Sequence, residues 1–132
     1  MKKSKFQIIN QRLLSVEYQI NDAYQKEEIE LKIRSNVQIK RDDEKSIAEV
    51  ILTIFVFPDE DISNVPFTMI ISNKGIFEWS ADYDNVTIEK LLKSNAPAIL
   101  MSYMRSVVSQ LTSFSSFPPL ILPLFDFTKE NH

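Results

Sequence analysis

Few residues in this sequence could do covalent chemistry, and their spacing supports little of it. There is no cysteine, which excludes disulfides, thiolate metal sites and thiol nucleophiles. The one histidine, His132, is the last residue, where fraying leaves an imidazole without the fixed neighbours a general base needs. Asp59, Asp61 and Ser63 have the spacing that opens a calcium loop, but the glycine at the sixth position and the closing glutamate are missing. The other acidic residues stand in turns beside lysine or arginine and read as solubilising charge. Gly75 is the sole glycine, which argues against a phosphate-cradling loop, because such loops need glycine for backbone amides to approach the ligand. Net charge is −3 with both signs mixed along the chain, so there is no nucleic-acid footprint. Neither catalysis nor a cofactor or metal is expected.

What the sequence does offer is apolar surface. The stretch Ala96–Phe127 begins with Pro97, at home in the first turn of a helix. Ile99, Leu100, Tyr103, Met104, Val107, Val108 and Leu111 then recur at steps of three and four, one side of a helical cylinder. Ser102, Arg105, Ser106, Ser109 and Gln110 fall on the other. Beyond it, Pro118, Pro119 and Pro123 forbid a long helix, yet Phe117, Leu120, Ile121, Leu122, Leu124, Phe125 and Phe127 crowd the same segment. Taken out of water, those side chains are worth on the order of 10–20 kcal/mol. A segment with that much to gain packs on its own sheet, on a sister subunit or on a guest.

The elements that must position this stretch come before it. Phe6 to Ile20 is strand-like. Ile29, Leu31, Ile33, Val37 and Ile39 alternate with polar residues, the period of a strand with one wet face, and Arg41 to Lys45 form a charged turn. Ile47 to Phe57 is apolar at both parities and reads as a central strand covered on both sides. Phe67 to Trp79 is a further strand, with a bulge or kink expected at Asn73-Lys74-Gly75. Thr87 is placed to cap a short helix through Ser94. Strands followed by helices imply an α+β fold with a largely antiparallel sheet, here a single domain over residues 1–132. The basic start at Met1 lacks the apolar run of a signal peptide and no stretch approaches a membrane span, so a cytoplasmic protein without membrane insertion is expected.

Taken together, the chain resembles the SecB family of protein-export chaperones. Pro97, Ile99, Leu100, Tyr103, Arg105 and the pair Phe117-Pro118 fall at the family's spacing without a gap, and Leu120, Leu122 and Phe127 continue it. Gly75-Ile76-Phe77 is similar to the end of the family's last strand, and Phe6-Gln7-Ile8 with Gln11-Arg12 to its first. The resemblance implies a four-stranded antiparallel sheet backed by a long helix, assembled as a dimer of dimers. It also implies a holdase that keeps unfolded polypeptides in apolar grooves, with some relatives serving toxin–antitoxin systems. Family contacts to the SecA motor use acidic residues on the sheet. Glu17 matches one, Asn21 is neutral where another stands, and Ile70 replaces a glutamate, so support for delivery to SecA is partial. Phe114-Ser115-Ser116 stands where the family has Arg-Gly-Thr, and the family's second helix has no counterpart before His132.

On this reading Phe117, Leu120, Leu122, Leu124, Phe125 and Phe127 form a proline-stiffened wall for clients, with Met101 and Met104 adapting to varied guests. Ile99, Leu100, Tyr103, Val107, Val108 and Leu111 supply core and a subunit interface, since amphipathic stripes are more often packing than binding surface. Glu17 is a partner contact. The competing reading is a non-catalytic adaptor that uses the same surface for one dedicated protein partner.

Overall fold

The computed structural model describes residues 5–25, 30–114, 120–123 and 127. Strands β1 (Phe6–Ile20), β2 (Ile33–Asp42), β3 (Ile47–Val56) and β4 (Phe67–Trp79) precede helices α1 (Asn85–Lys90) and α2 (Ala96–Thr112). The strands form one four-stranded sheet in the order β1-β4-β3-β2, every neighbouring pair antiparallel. This is the α+β architecture expected from the order of patterns. Of the second strand's expected start, Ile29 lies outside the described residues and Leu31 precedes β2.

The period of two decides what the sheet buries. Val50, Leu52 and Ile54 of β3 and Met69, Ile71 and Phe77 of β4 point to one face and are buried there beneath α2, which lies on these two central strands. The opposite face carries Ile51, Phe55, Ile70 and Ile76, all half-buried. Complete cover of β3 on both sides is the expectation from sequence, and the described residues do not supply it. On the second face neighbouring side chains shield each other instead. The Thr53 and Ser72 hydroxyls hydrogen-bond at 2.9 Å, Lys74 pairs with Glu49 at 3.4 Å, and the Arg34 guanidinium stands 5.0 Å from the centroid of the Phe55 ring.

Phe57 leaves the pattern. Its φ of 54° lies in the left-handed region, uncommon for a bulky residue, and the alternation of β3 ends there. The ring turns to the core side and meets Phe67 edge-on, with centroids 5.6 Å apart.

The expected bulge at Asn73-Lys74-Gly75 is not where the sheet bends. β4 pairs with β3 without interruption through these residues. The irregularities are on β1, where the register against β4 shifts between Ile8 and Asn10 and again between Leu13 and Ser15. One extra residue at each shift, Ile9 and Leu14, twists the edge strand locally. Gly75 has another use: a Cβ there would lie 2.7 Å from Phe77 Cε2 and 2.8 Å from Leu100 Cδ2. Its bareness lets α2 approach the sheet.

The helical region starts at Asp84, not at Thr87. Asp84 is extended and its carboxylate accepts the Thr87 amide at 2.7 Å, the N-cap arrangement. Between α1 and α2 the chain makes one π-helical turn, Leu91–Asn95, in which the Ala96 amide reaches back to the Leu91 carbonyl. Pro97 explains this break. It has no amide to continue the ladder and its ring crowds the preceding turn, so the helix widens by one residue and restarts with proline in its first turn.

Candidate binding surface

Helix α2 buries Ala96, Pro97, Leu100, Met101, Met104, Val108 and Thr112. Its apolar stripe is therefore wider than the sheet can cover. Ile99, Tyr103, Val107 and Leu111, spaced four apart, form a row along the shoulder of the helix. Tyr103 is exposed and the other three are half-buried. The residues expected at a subunit interface thus divide in two. Leu100 and Val108 are wholly taken up by the chain's own core, while the row of four keeps surface to offer. Phe114, just past the helix, extends this surface and is 84% exposed.

The residues expected to meet clients divide as well. Met101 and Met104 lie in the core beneath α2, and Leu122 and Phe127 join the same core cluster. Leu120 is half-buried and its neighbour Ile121 is 71% exposed. Phe117, Leu124 and Phe125 lie outside the described residues.

Polar contacts hold this returning segment along α2. The Leu120 amide donates to Thr112 Oγ1 at 2.7 Å, and Arg105 Nε donates to the Leu122 carbonyl at 3.1 Å. Ser94 Oγ donates to the Phe127 carbonyl at 3.4 Å. Leu120, Leu122 and Phe127 are thus tied in turn to Thr112, Arg105 and Ser94. The segment runs back along the helix from its C-terminal end towards its start. Sequence reasoning found the helix and the tail but not this tie, because Arg105 and Thr112 bond to main-chain atoms, which no pattern of side chains marks.

Two further surfaces are apolar or recessed. Ile9, Leu13, Leu14 and Ile20 are exposed large hydrophobic residues on β1, an edge strand whose outer side has no neighbour in the described sheet. They include both residues inserted at the register shifts. On the half-buried face of the sheet, Glu17, Arg34, Phe55, Asp59, Thr68 and Ile70 line a cleft of about 760 Å³. Arg34 is neutralised there by Asp59 at 3.1 Å, and Glu60 pairs with Lys32 at 2.9 Å. That pairing raises the lysine above its usual range, through the hydrogen bond first and the charge of Glu60 second. Glu17 is exposed at this cleft.

Asn21, beside the same end of β1, is committed elsewhere. Its Nδ2 donates to the Ile62 carbonyl at 2.9 Å and the Val65 carbonyl at 3.0 Å, and its Oδ1 accepts the Ala23 amide at 3.1 Å. A carboxylate cannot donate, so an acidic residue could not make the first two bonds. The neutral residue is what the β3–β4 connection requires.

The SecB family model, described as preprotein translocase subunit SecB, matches residues 2–129. The chain belongs to the SecB family. The protein-export protein SecB of Ehrlichia ruminantium is 32% identical over 105 residues, covering 70% of this chain and 60% of the relative. That of Ehrlichia chaffeensis is 37% identical over 73 residues, covering 49% and 41%. These matches span less than two thirds of each SecB relative's length. An uncharacterized protein of Methanocaldococcus jannaschii is 29% identical over 115 residues, 82% of this chain and 70% of that one. Among solved structures, a SecB-like chaperone of Mycobacterium tuberculosis, in complex with a ChAD peptide from an antitoxin, superposes with a TM-score of 0.69 at 19% identity. It covers 91% of this chain and 90% of the other, and at that identity it speaks for the shared fold.

No helix among the described residues is long and apolar enough to cross a membrane. Nor do the described residues include a cluster of three or more His, Cys, Asp or Glu able to hold a metal ion.

Proposed function

We propose that this SecB-family chain is a holdase: it binds non-native polypeptide through apolar surface and releases it to a later step, in protein export or in a toxin–antitoxin system. Family membership supports the class, and one observation carries the reading to these residues. The apolar stripe of α2 is wider than its own sheet, leaving the row Ile99, Tyr103, Val107 and Leu111 at the surface with Phe114 just past the helix, while Ile121 is exposed on the returning segment. A client's apolar and aromatic side chains would be buried against that row, without a nucleotide or other cofactor, in the cytoplasm. The chain would act as one domain and as a homo-oligomer, a dimer of dimers, in which some of the same surface or the β1 edge joins subunits. Glu17 at the sheet cleft is the contact offered to a delivery partner. SecA is weakly supported as that partner, since Asn21 is committed to its loop and Ile70 is apolar.

A second reading has an observation of its own. Leu122 and Phe127 are sealed at 0% and 4% exposure and leave less open wall for extended clients. An adaptor serving one dedicated protein partner would need no more than the surface that remains.

An aggregation assay with an unrelated unfolded protein separates the two. Suppression near stoichiometric amounts, reduced by Tyr103→Ser or Ile121→Ser with assembly unchanged, supports the holdase. Failure of a well-folded oligomer to suppress aggregation favours the adaptor.

A further inference from the structure

We infer that Leu120–Pro123 is a resident occupant of a client groove on the Arg105–Thr112 shoulder of α2, across the helix from the Ile99–Leu111 row, an internal stand-in that a client must displace. This deepens the holdase reading and rests on it. Three features of the segment distinguish it from ordinary core. It is held by side-chain bonds to its main chain: Thr112 Oγ1 accepts from the Leu120 amide, and Arg105 Nε donates to the Leu122 carbonyl. Main-chain atoms are common to every polypeptide, so the same two groups would hold any extended guest in the same way. The side chains alternate: Leu122 is fully buried, while Ile121 and Pro123 on either side are exposed. One slot thus takes a large apolar side chain and places no demand on its neighbours. Finally, the segment stands outside helix and strand, and Pro123 contributes no amide, so no helix or sheet ladder has to break for it to leave.

The occupant that replaces it is an extended segment of non-native polypeptide carrying a Leu, Ile, Phe or Met for the Leu122 slot, with free main-chain atoms for Arg105 and Thr112. A groove filled by its own chain binds guests with an apparent affinity reduced by the fraction of time it stands open. Loosening the resident segment therefore raises client affinity, whereas a tail that itself formed the client wall would lose affinity when truncated.

That difference in sign is the test. Binding of a fluorescently labelled, permanently unfolded polypeptide is titrated against the full chain, Leu122→Ser and Leu120→Ala, both of which loosen the resident segment and leave Arg105 and Thr112 in place for the guest, with folding checked by circular dichroism and assembly by light scattering. The expected result is tighter client binding by both variants, roughly tenfold for the serine if it opens the groove in proportion. Exchange of the Leu120 amide should also speed up in Leu122→Ser. Equal or weaker binding by folded variants overturns the resident-segment inference while leaving the holdase standing. No binding by the wild-type chain or either variant overturns the holdase reading itself. Should Leu122→Ser fail to fold, Leu120→Ala decides the matter alone, since Leu120 is only half-buried and its truncation disturbs the core less.

Discussion

Gly75 of β4 and Leu100 of α2 stand so close that a single methyl group would part them. A Cβ on residue 75 would lie 2.8 Å from Leu100 Cδ2, inside any ordinary contact, and 2.7 Å from the Phe77 ring. Beside it, buried Asn73 donates from Nδ2 to the Leu100 carbonyl at 3.2 Å and accepts from Gln11 Nε2 at 2.5 Å. Helix and sheet are therefore fixed at one place by a bare glycine and a polar clamp. Gly75→Ala is expected to destabilise the chain by about 1–3 kcal/mol, the usual effect of overfilling a packed core. In urea unfolding, Leu100→Ala should offset part of the loss when combined with Gly75→Ala, giving a coupling that simple addition lacks. Strict additivity of the two substitutions would show that the contact is not what matters at Gly75.

Asn21 makes a comparable claim for the β3–β4 connection. Replacing it with aspartate turns a donor to two carbonyls into a third acceptor, at a half-buried site. Asn21→Asp should lower stability by about 1–3 kcal/mol at neutral pH. The deficit should shrink as pH falls through the variant's carboxyl, because the protonated acid regains one donor and its folded-state pKa is raised by the carbonyls facing it. Urea midpoints measured at neutral and acid pH check both the size and the direction. A variant as stable as the parent at neutral pH would mean that the two bonds contribute nothing.

The alternation in β3 and β4 and the spacing in α2 made the sheet, the long helix and the α+β class legible before any coordinate, because period and burial follow one geometry. What stayed hidden depended on single residues whose role is set by distant neighbours. Thr87 looked like a cap because hydroxyls cap helices, yet Asp84, three residues earlier, takes its amide. Gly75 suggested a kinked strand, and only the packing of Leu100 shows that it makes room. Met101 and Met104 share their parity with a binding stripe and with a core stripe. Periodicity cannot say which side of a helix a sheet will cover.

Asp84 offers a pH-dependent test of the helical start. Its carboxyl sits below the usual carboxylate range, held there by the Thr87 hydroxyl first and the Thr87 amide second. A group with a lowered folded-state pKa stabilises the fold above its unfolded value and loses that contribution as pH drops through the folded one. Asp84→Ala should therefore melt a few degrees below the parent at neutral pH, and the gap should close in acid. Thermal melts by circular dichroism across this range are sufficient. A gap independent of pH would assign the effect to the side chain's size, not to its charge.

The β1 edge is one of two candidate joints for the proposed oligomer. Leu13 and Leu14 lie at a register shift that points consecutive leucines outward, and with Ile9 and Ile20 they make the edge apolar where unpaired strands are ordinarily charged or blocked. On α2, Tyr103 and Val107 are the rival contact. If β1 joins subunits, Leu13→Lys should reduce the assembly to smaller species at micromolar concentration while the chain's circular dichroism is preserved, and Tyr103→Lys should leave its size unchanged. The opposite pattern would move the joint to the helix and make the β1 edge available to guests. Sedimentation velocity on both variants distinguishes these outcomes, because lysine at a buried joint leaves an unpaired charge out of water, which association cannot tolerate, whereas on a free surface it is harmless.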